Sequence, residues 1–269
     1  MMKQFPIALQ LYTVRDQMEQ DFEGTMKAVK EMGYDGVEFA GLFGRSAAQV
    51  KALCNELGLV PVSAHVPYVE LIRDHDLLAT YSEIGCRYVV IPYLAPENLP
   101  GNPAFAEFVK AVNDLIDRAT AVGLQVAYHN HDFEFVDVDG EMAIDIMYRE
   151  IPRLLPQFDT CWLQIAGESA PAYIRKYAPR QEIVHFKDYV GVRTEHMYGL
   201  IGLDDDKETE SSPVFELRPV GKGIQDFPAM LEACEDVNMQ WVIVEQDEPT
   251  MGLGRMECAK ASIDYLRSL

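Results

Sequence analysis

The chain has 269 residues, 48% of them hydrophobic and 25% charged, with a formal net charge of −20 at pH 7. That composition excludes disorder, collagen and coiled coil, and the acidic balance argues against a protein that grips nucleic-acid phosphates, which needs a basic surface. No apolar run approaches the roughly 20 residues that span a bilayer. The N-terminal stretch through Asp16 reads as a first strand and not as a signal peptide. Five scattered cysteines, odd in number and without a CxxC pair, read as the reduced thiols of a cytoplasmic protein.

Along the chain, short β-rich runs alternate with longer amphipathic ones. Strands are predicted at Pro6–Tyr12, Gly36–Phe39, Val60–His65, Tyr88–Tyr93, Gln125–Asn130, Gln157–Thr160, Ile183–Lys187 and Trp241–Glu245. They are rich in Val, Ile, Tyr and Phe and mostly follow glycine-containing turns such as Met32-Gly33-Tyr34. Between them Phe22, Met26, Val29 and Met32 share one helical face, as do Phe105, Phe108, Val109, Val112 and Ile116. Eight strands alternating with helices predict an α/β protein with a parallel sheet, and a closed (β/α)8 TIM barrel over residues 1–269 seats all eight without an edge. An open doubly wound sheet normally carries a glycine-rich phosphate loop after its first strand, whereas Leu11–Asp16 contains no GxGxxG. Val190 to Gly223 breaks the rhythm with a long loop whose acidic run, Asp204 to Glu210, reads as solvated surface. The alternative is that part of it covers the barrel mouth or a partner subunit.

In such a barrel the chemistry lies at the C-terminal ends of the strands. Four of the six histidines fall there, His65, His129, His131 and His185, together with Glu38, Glu134, Asp159 and Glu245; His75 and His196 fall in a helix and in the long loop. Strand alternation puts His129 and His131 on one face, and likewise His185 and Lys187. Singly, each has an ordinary reading as a hydrogen-bonded core group or a cap. Eight together are harder to explain without a ligand, since charged groups are seldom buried unless paired or bound to metal. Carboxylate oxygens with some imidazole suit Mn²⁺, Mg²⁺, Co²⁺ or Zn²⁺.

The segments Tyr128-His129-Asn130-His131-Asp132-Phe133-Glu134-Phe135, Asp159-Thr160-Cys161-Trp162, His185-Phe186-Lys187-Asp188 and Val244-Glu245-Gln246-Asp247 occur in that order. With the opening Leu9–Asp16 stretch and the Val220-Gly221-Lys222-Gly223 turn, the chain resembles, end to end, the sugar phosphate isomerase/epimerase family, whose fold is the xylose isomerase-like TIM barrel. The resemblance implies one divalent metal ion held by Glu134, Asp159, His185 and Glu245, with His131 as the replacement for Glu134. It implies proton abstraction beside a metal-bound carbonyl through an enediolate, with Glu134 and Glu245 as the acid–base pair and His131 and Lys187 as alternatives. Gln10, Glu38, His65 and His129 would bind hydroxyls, and Trp162 and Tyr93 would offer apolar faces. One departure is Gly167-Glu168-Ser169-Ala170-Pro171, where many relatives carry a Gly-x-Asp-Pro step.

The function implied is therefore that of a sugar isomerase or epimerase acting on a small carbohydrate, with no nucleic-acid or membrane partner. Dimers or tetramers are common among such barrels, so a homo-oligomer is compatible with it. A dehydratase or lyase acting on a keto-sugar or inosose begins with the same proton removal and is the first alternative. A sugar-binding or regulatory barrel is the non-enzymatic one. An apurinic endonuclease would need a His three residues after Asp159, where Trp162 stands.

Overall fold

The computed structural model describes residues 4–194 and 215–269. Eight parallel strands close into a barrel: β1 (Ile7–Gln10), β2 (Gly36–Phe39), β3 (Val60–His65), β4 (Tyr88–Ile91), β5 (Gln125–His129), β6 (Leu155–Asp159), β7 (Ile183–Phe186) and β8 (Trp241–Val244). Closure is made by β1, which pairs with β2 on one side and with β8 on the other. The α/β TIM barrel read from the sequence is the fold observed.

Local chemistry sets each element. Helix Phe22–Met32 starts where the Asp21 carboxylate accepts from Gly24 N–H and ends at Gly33, whose φ of 104° suits a residue without a side chain. It buries Phe22, Met26 and Val29 against the barrel, as their spacing requires. Helix Phe105–Ala121 does the same with Phe108, Val112, Leu115 and Ile116. Truncating a fully buried side chain such as Phe108 to Ala would cost about 3–5 kcal/mol.

Several strands end one or two residues before the predicted boundary and β6 starts before it, and two of these shifts have a visible local basis. β1 stops at Gln10, because its side-chain carbonyl accepts from Tyr12 N–H and starts a 3₁₀ turn over Leu11–Val14. β6 begins at Leu155 and carries Pro156, a residue that argues against a strand on sequence grounds. His75 stands just before helix Asp76–Ile84.

Within the long segment after β7, Asp188–Gly191 pairs antiparallel with Phe215–Arg218. This ribbon lays Tyr189, Phe215 and Leu217 over Cys161 and Trp162. The acidic run and His196 lie outside the described residues. Among the described residues no helix is long and apolar enough to cross a membrane.

Inside the barrel, Ala8, Val62, Tyr88, Val90, Ala127, Leu155, Ile183 and Ile243 form an apolar plug. A bulge in β3 contributes to it: pairing with β2 skips Val62, so Val62 joins the plug while Ser63 still reaches Glu38 above it. Glu38, Gln157, Asp159 and His185 sit over this plug, at the C-terminal end, while the Tyr88 hydroxyl leaves it on the other side to meet Glu182.

Candidate active site

The floor of the mouth is built around Glu38, which is fully buried. Gln10 Nε2 donates to its Oε1 at 2.9 Å, while Ser63 Oγ and Gln157 Nε2 each donate to its Oε2 at 2.6 Å. His185 Nε2 donates to Oε1 at 2.6 Å. His65 Nε2 donates to Gln157 Oε1 at 2.7 Å and lies 3.1 Å from Glu38 Oε1. Burial alone would push the Glu38 carboxyl up, but the His65 and His185 charges and the donors outweigh it and hold it at about 2. With its lone pairs saturated, Glu38 is a scaffold for the imidazoles above.

Over that floor His129, Asp159, His185 and Glu245 offer one ligand atom each, all within 4.8 Å of one another and all buried. Asp159 Oδ1 accepts from the N–H groups of Cys161 and Trp162 at the start of the short helix Thr160–Ile165, which leaves Oδ2 turned to the mouth. His129 Nδ1 donates to the Pro92 carbonyl at 3.2 Å, so its Nε2 presents a lone pair. That Nε2 stands 3.4 Å from Asp159 Oδ2, and both atoms are buried without a hydrogen-bond partner. A buried imidazole nitrogen facing a buried carboxylate oxygen is a place that a proton on the ring or a bound cation fills, with Lys187 Nζ already 3.4 Å from the same oxygen. His185, fixed through Nε2 by Glu38, turns Nδ1 to Glu245 Oε2 at 3.2 Å. A carboxylate behind a ligand imidazole is the arrangement that orients metal-binding histidines. The donor set fits one divalent ion.

Lys187, also buried, puts Nζ 2.9 Å from Glu245 Oε2, 3.0 Å from Asp247 Oδ2 and 3.4 Å from Asp159 Oδ2, and 5.0 Å from the centroid of the Trp162 ring. Burial raises Glu245, but Lys187 and His185 overcome it and hold the carboxyl well below the usual range. Asp247 is raised by burial despite Lys187. The loop carrying Asp247 is gripped from two sides: Arg15 and Arg255 each donate to the Asp247 carbonyl at 2.6 Å, and Gln246 N–H donates to Thr13 Oγ1 at 3.1 Å. Asp16 completes the clamp through Arg255 at 2.9 Å. The Leu9–Asp16 motif thus ties β1 to the loop after β8.

A cleft of about 330 Å³ opens above these groups. His65, Tyr93, His129, His131, Lys187 and Glu245 line it. Gln10 and Glu38 lie beneath the floor and are fully buried, so they position and do not touch a ligand in the cleft. Trp162 is fully buried between Phe215 and His131 and backs Lys187 instead of facing the cleft.

Glu134 is the candidate that the structure does not bring to the others. β5 turns His129 into the barrel and Tyr128 outward, and Glu134 follows Tyr128: its Oε1 accepts from the Tyr128 hydroxyl and its Oε2 from His131 N–H at 2.9 Å. Burial pushes its carboxyl up to about 8 against those donors. In the cluster with Asp159, His185 and Glu245 its place is taken by His129, two residues before the substitute expected there. Glu134 and Asn130, which accepts from Asp159 N–H at 3.0 Å and donates to the His131 carbonyl at 3.0 Å, instead shape the turn that presents His131.

Sequence reasoning gave no role to Ser63, Gln157, Asp247, Tyr12, Glu70 and Tyr81. Inward alternation on β6 flags Gln157, which shares a face with Asp159. No comparable signal marks Glu70 or Tyr81, which arrive from helices flanking β3 and β4.

These features define a TIM-barrel protein with a metal-type site at its mouth, and the chain belongs to the xylose isomerase-like TIM barrel family, whose model matches residues 26–269. Among its relatives is the inosose dehydratase of Lacticaseibacillus casei, 26% identical over 156 residues that make up 56% of this chain; the chain spans about half, 49%, of that relative's length. A sugar phosphate isomerase/epimerase from Parabacteroides distasonis shares the fold with a TM-score of 0.73 at 17% identity, over 99% of this chain and 95% of that one. A probable 3-DHS dehydratase, AsbF, from Bacillus anthracis does so with a TM-score of 0.72 at 13% identity, over 98% of this chain and 99% of that one. The relatives are enzymes of the isomerase, epimerase and dehydratase kinds.

Proposed function

We propose that the protein is a metal-dependent enzyme that removes a proton beside the carbonyl of a keto-sugar or keto-cyclitol and expels water from the neighbouring carbon. The observation that carries the metal is the cluster of four buried ligand atoms within 4.8 Å of one another, in which His129 Nε2 and Asp159 Oδ2, 3.4 Å apart, have no hydrogen bond. His129, Asp159, His185 and Glu245 would hold the ion. When bound, a divalent ion acts as a Lewis acid that polarises a carbonyl and steadies the charge left by proton removal.

The chain's own groups supply the proton chemistry. Asp247, raised by burial and 3.0 Å from Lys187, is placed to accept the proton from carbon, while Glu245, 2.9 Å from the same ammonium, is kept for the ion. Lys187 Nζ gives its proton to the departing hydroxyl, which leaves as water. The carboxylate then returns its proton to Lys187 across the same contact, and the site is reset. His65, His131 and Tyr93 hold substrate hydroxyls along the cleft wall.

Elimination suits this geometry because acid and base stand side by side. Epimerisation, the first expectation from sequence, needs a second base across the substrate, and Glu134, named for that role, faces away from the cleft. The test is incubation of the metal-loaded protein with 2-keto-myo-inositol and a ketohexose series in D₂O, followed by NMR and mass spectrometry. Loss of one water, abolished in Lys187→Met with metal content unchanged, is the expected result. Inversion with deuterium uptake and no loss of water would make the protein an epimerase. Metal uptake with no turnover of any probe would favour the sugar-binding barrel.

A further inference from the structure

We propose that the cleft takes an uncharged polyhydroxy ketone and turns away its phosphorylated and carboxylated counterparts, an inference that rests on the reading of the site given above. Charge is the first ground. Glu70, Glu245 and Asp247 line the cleft, with Glu38 and Asp159 beneath them, and among the described residues the lining contains one ammonium, Lys187, and no arginine. Lys187 is already shared among three carboxylates at 2.9 to 3.4 Å. A divalent ion and Lys187 together supply three positive charges against these five carboxylates, which leaves little surplus positive charge for an anion. The guanidinium groups of Arg15 and Arg255 are committed to the Asp247 carbonyl and the Glu248 carboxylate, and that of Arg193 to Asp132.

The second ground is what fills the places where a barrel of this kind would bind an anion. Phosphate sites in such folds use backbone N–H groups of the loops after strands seven and eight and the start of a short helix. Here the N–H groups after β7 converge on a carboxylate of the chain itself: Asp188 accepts from Tyr189 at 2.9 Å, Gly221 at 3.0 Å, Gly223 at 2.8 Å and Gln225 at 3.3 Å. A Cβ on Gly223 would meet Asp188 Oδ1 at 2.2 Å, so the glycines of the Val220–Gly223 turn serve this internal carboxylate. After β6, Asp159 takes the N–H groups of Cys161 and Trp162. After β8, Glu257 takes that of Gly254 at 2.7 Å. Each anion seat is occupied from within.

The third ground is the opposite wall. Ala40, Val66, Pro67 and Pro92 make it apolar, Tyr81 adds an aromatic ring, and Glu70 stands in the first turn of helix Tyr68–Arg73, where a helix start would otherwise attract an anion. A sugar or cyclitol ring presents CH faces to such a wall and hydroxyls to its carboxylates. A phosphate turned to this wall, away from the ion and Lys187, would find neither a donor cluster nor a cation on it.

The test is calorimetric titration of the Mn²⁺-loaded protein with matched probes: D-fructose against D-fructose 6-phosphate, and 2-keto-myo-inositol against 3-dehydroshikimate, with inorganic phosphate as the control for ion sequestration. Expected is a preference of about tenfold or more for the uncharged probe of at least one pair and for the charged probe of neither, the scale of an incompletely screened like-charge contact. The gap should narrow with added NaCl and shrink several-fold in Glu70→Lys. Equal or tighter binding of the charged probes, or saturable inorganic phosphate binding that competes with a ketone, overturns the proposal. Mn²⁺ uptake without binding of any probe overturns the substrate class and leaves the metal site standing. Failure to take up Mn²⁺ removes the site reading, and this inference with it.

Discussion

The two sides of the barrel mouth bury comparable polar side chains and leave them in opposite states. Under β1 to β3, Gln10, Glu38 and Ser63 close on one another, and every oxygen of the Glu38 carboxylate has donors. Under β5 to β8, His129 Nε2 and Asp159 Oδ2 face each other without a hydrogen bond, and the ammonium of Lys187 stands 3.4 Å from the same carboxylate oxygen. A satisfied buried carboxylate is scaffold; a pair left without hydrogen bonds at similar depth is where a bound group has something to gain. The same distinction separates Glu134, clamped by Tyr128 and His131, from Glu245, which is shared between His185 and Lys187.

Substitutions on the two sides should therefore behave differently. Asp159→Asn removes a charge from the unsatisfied pair and should abolish metal uptake and lower turnover by about three orders of magnitude or more, read by metal analysis and by the D₂O assay. Glu38→Gln, on the scaffold side, should keep the site but weaken metal affinity by about 10–100-fold, because His185 loses its orienting carboxylate. An affinity equal to the wild type would show that the floor does not act through His185.

Glu134→Gln should leave metal affinity intact and change the pH dependence of stability. With the native carboxyl at about 8 and its ordinary value near 4.5, the folded protein keeps a proton that the unfolded chain releases. The wild type should accordingly lose stability as pH rises from 4.5 to 8, and the glutamine variant should lose less over that window in urea titrations. Smallest of all, Thr13→Val strips the Gln246 N–H of its acceptor and should cost about 1 kcal/mol in the same measurement.

The barrel was legible because short Val/Ile/Tyr runs after glycine turns, repeated eight times, leave little choice of architecture. The start of β6 was not, since Pro156 masks a strand that its barrel neighbours impose. Alternation along β5 placed His129 and His131 on one face, and both line the cleft. It could not place Glu134, because the period of two ends with the strand and the turn beyond it is set by Tyr128, a contact no spacing encodes. Trp162 carried the look of a substrate platform, yet the ribbon of Phe215–Arg218, distant in sequence, covers it. Asp188 and the Val220–Gly223 turn were visible as motifs, but their mutual purpose emerges only when the chain brings them together.

The most direct measurement is the metal content, after Mn²⁺ loading and desalting, of the wild type, His129→Ala and Glu134→Gln side by side. About one ion per chain is expected in the wild type and in Glu134→Gln, and almost none in His129→Ala, since a first-sphere ligand is lost only there. Retention of the ion in His129→Ala with its loss in Glu134→Gln would contradict the site described here and return Glu134 to the ligand set.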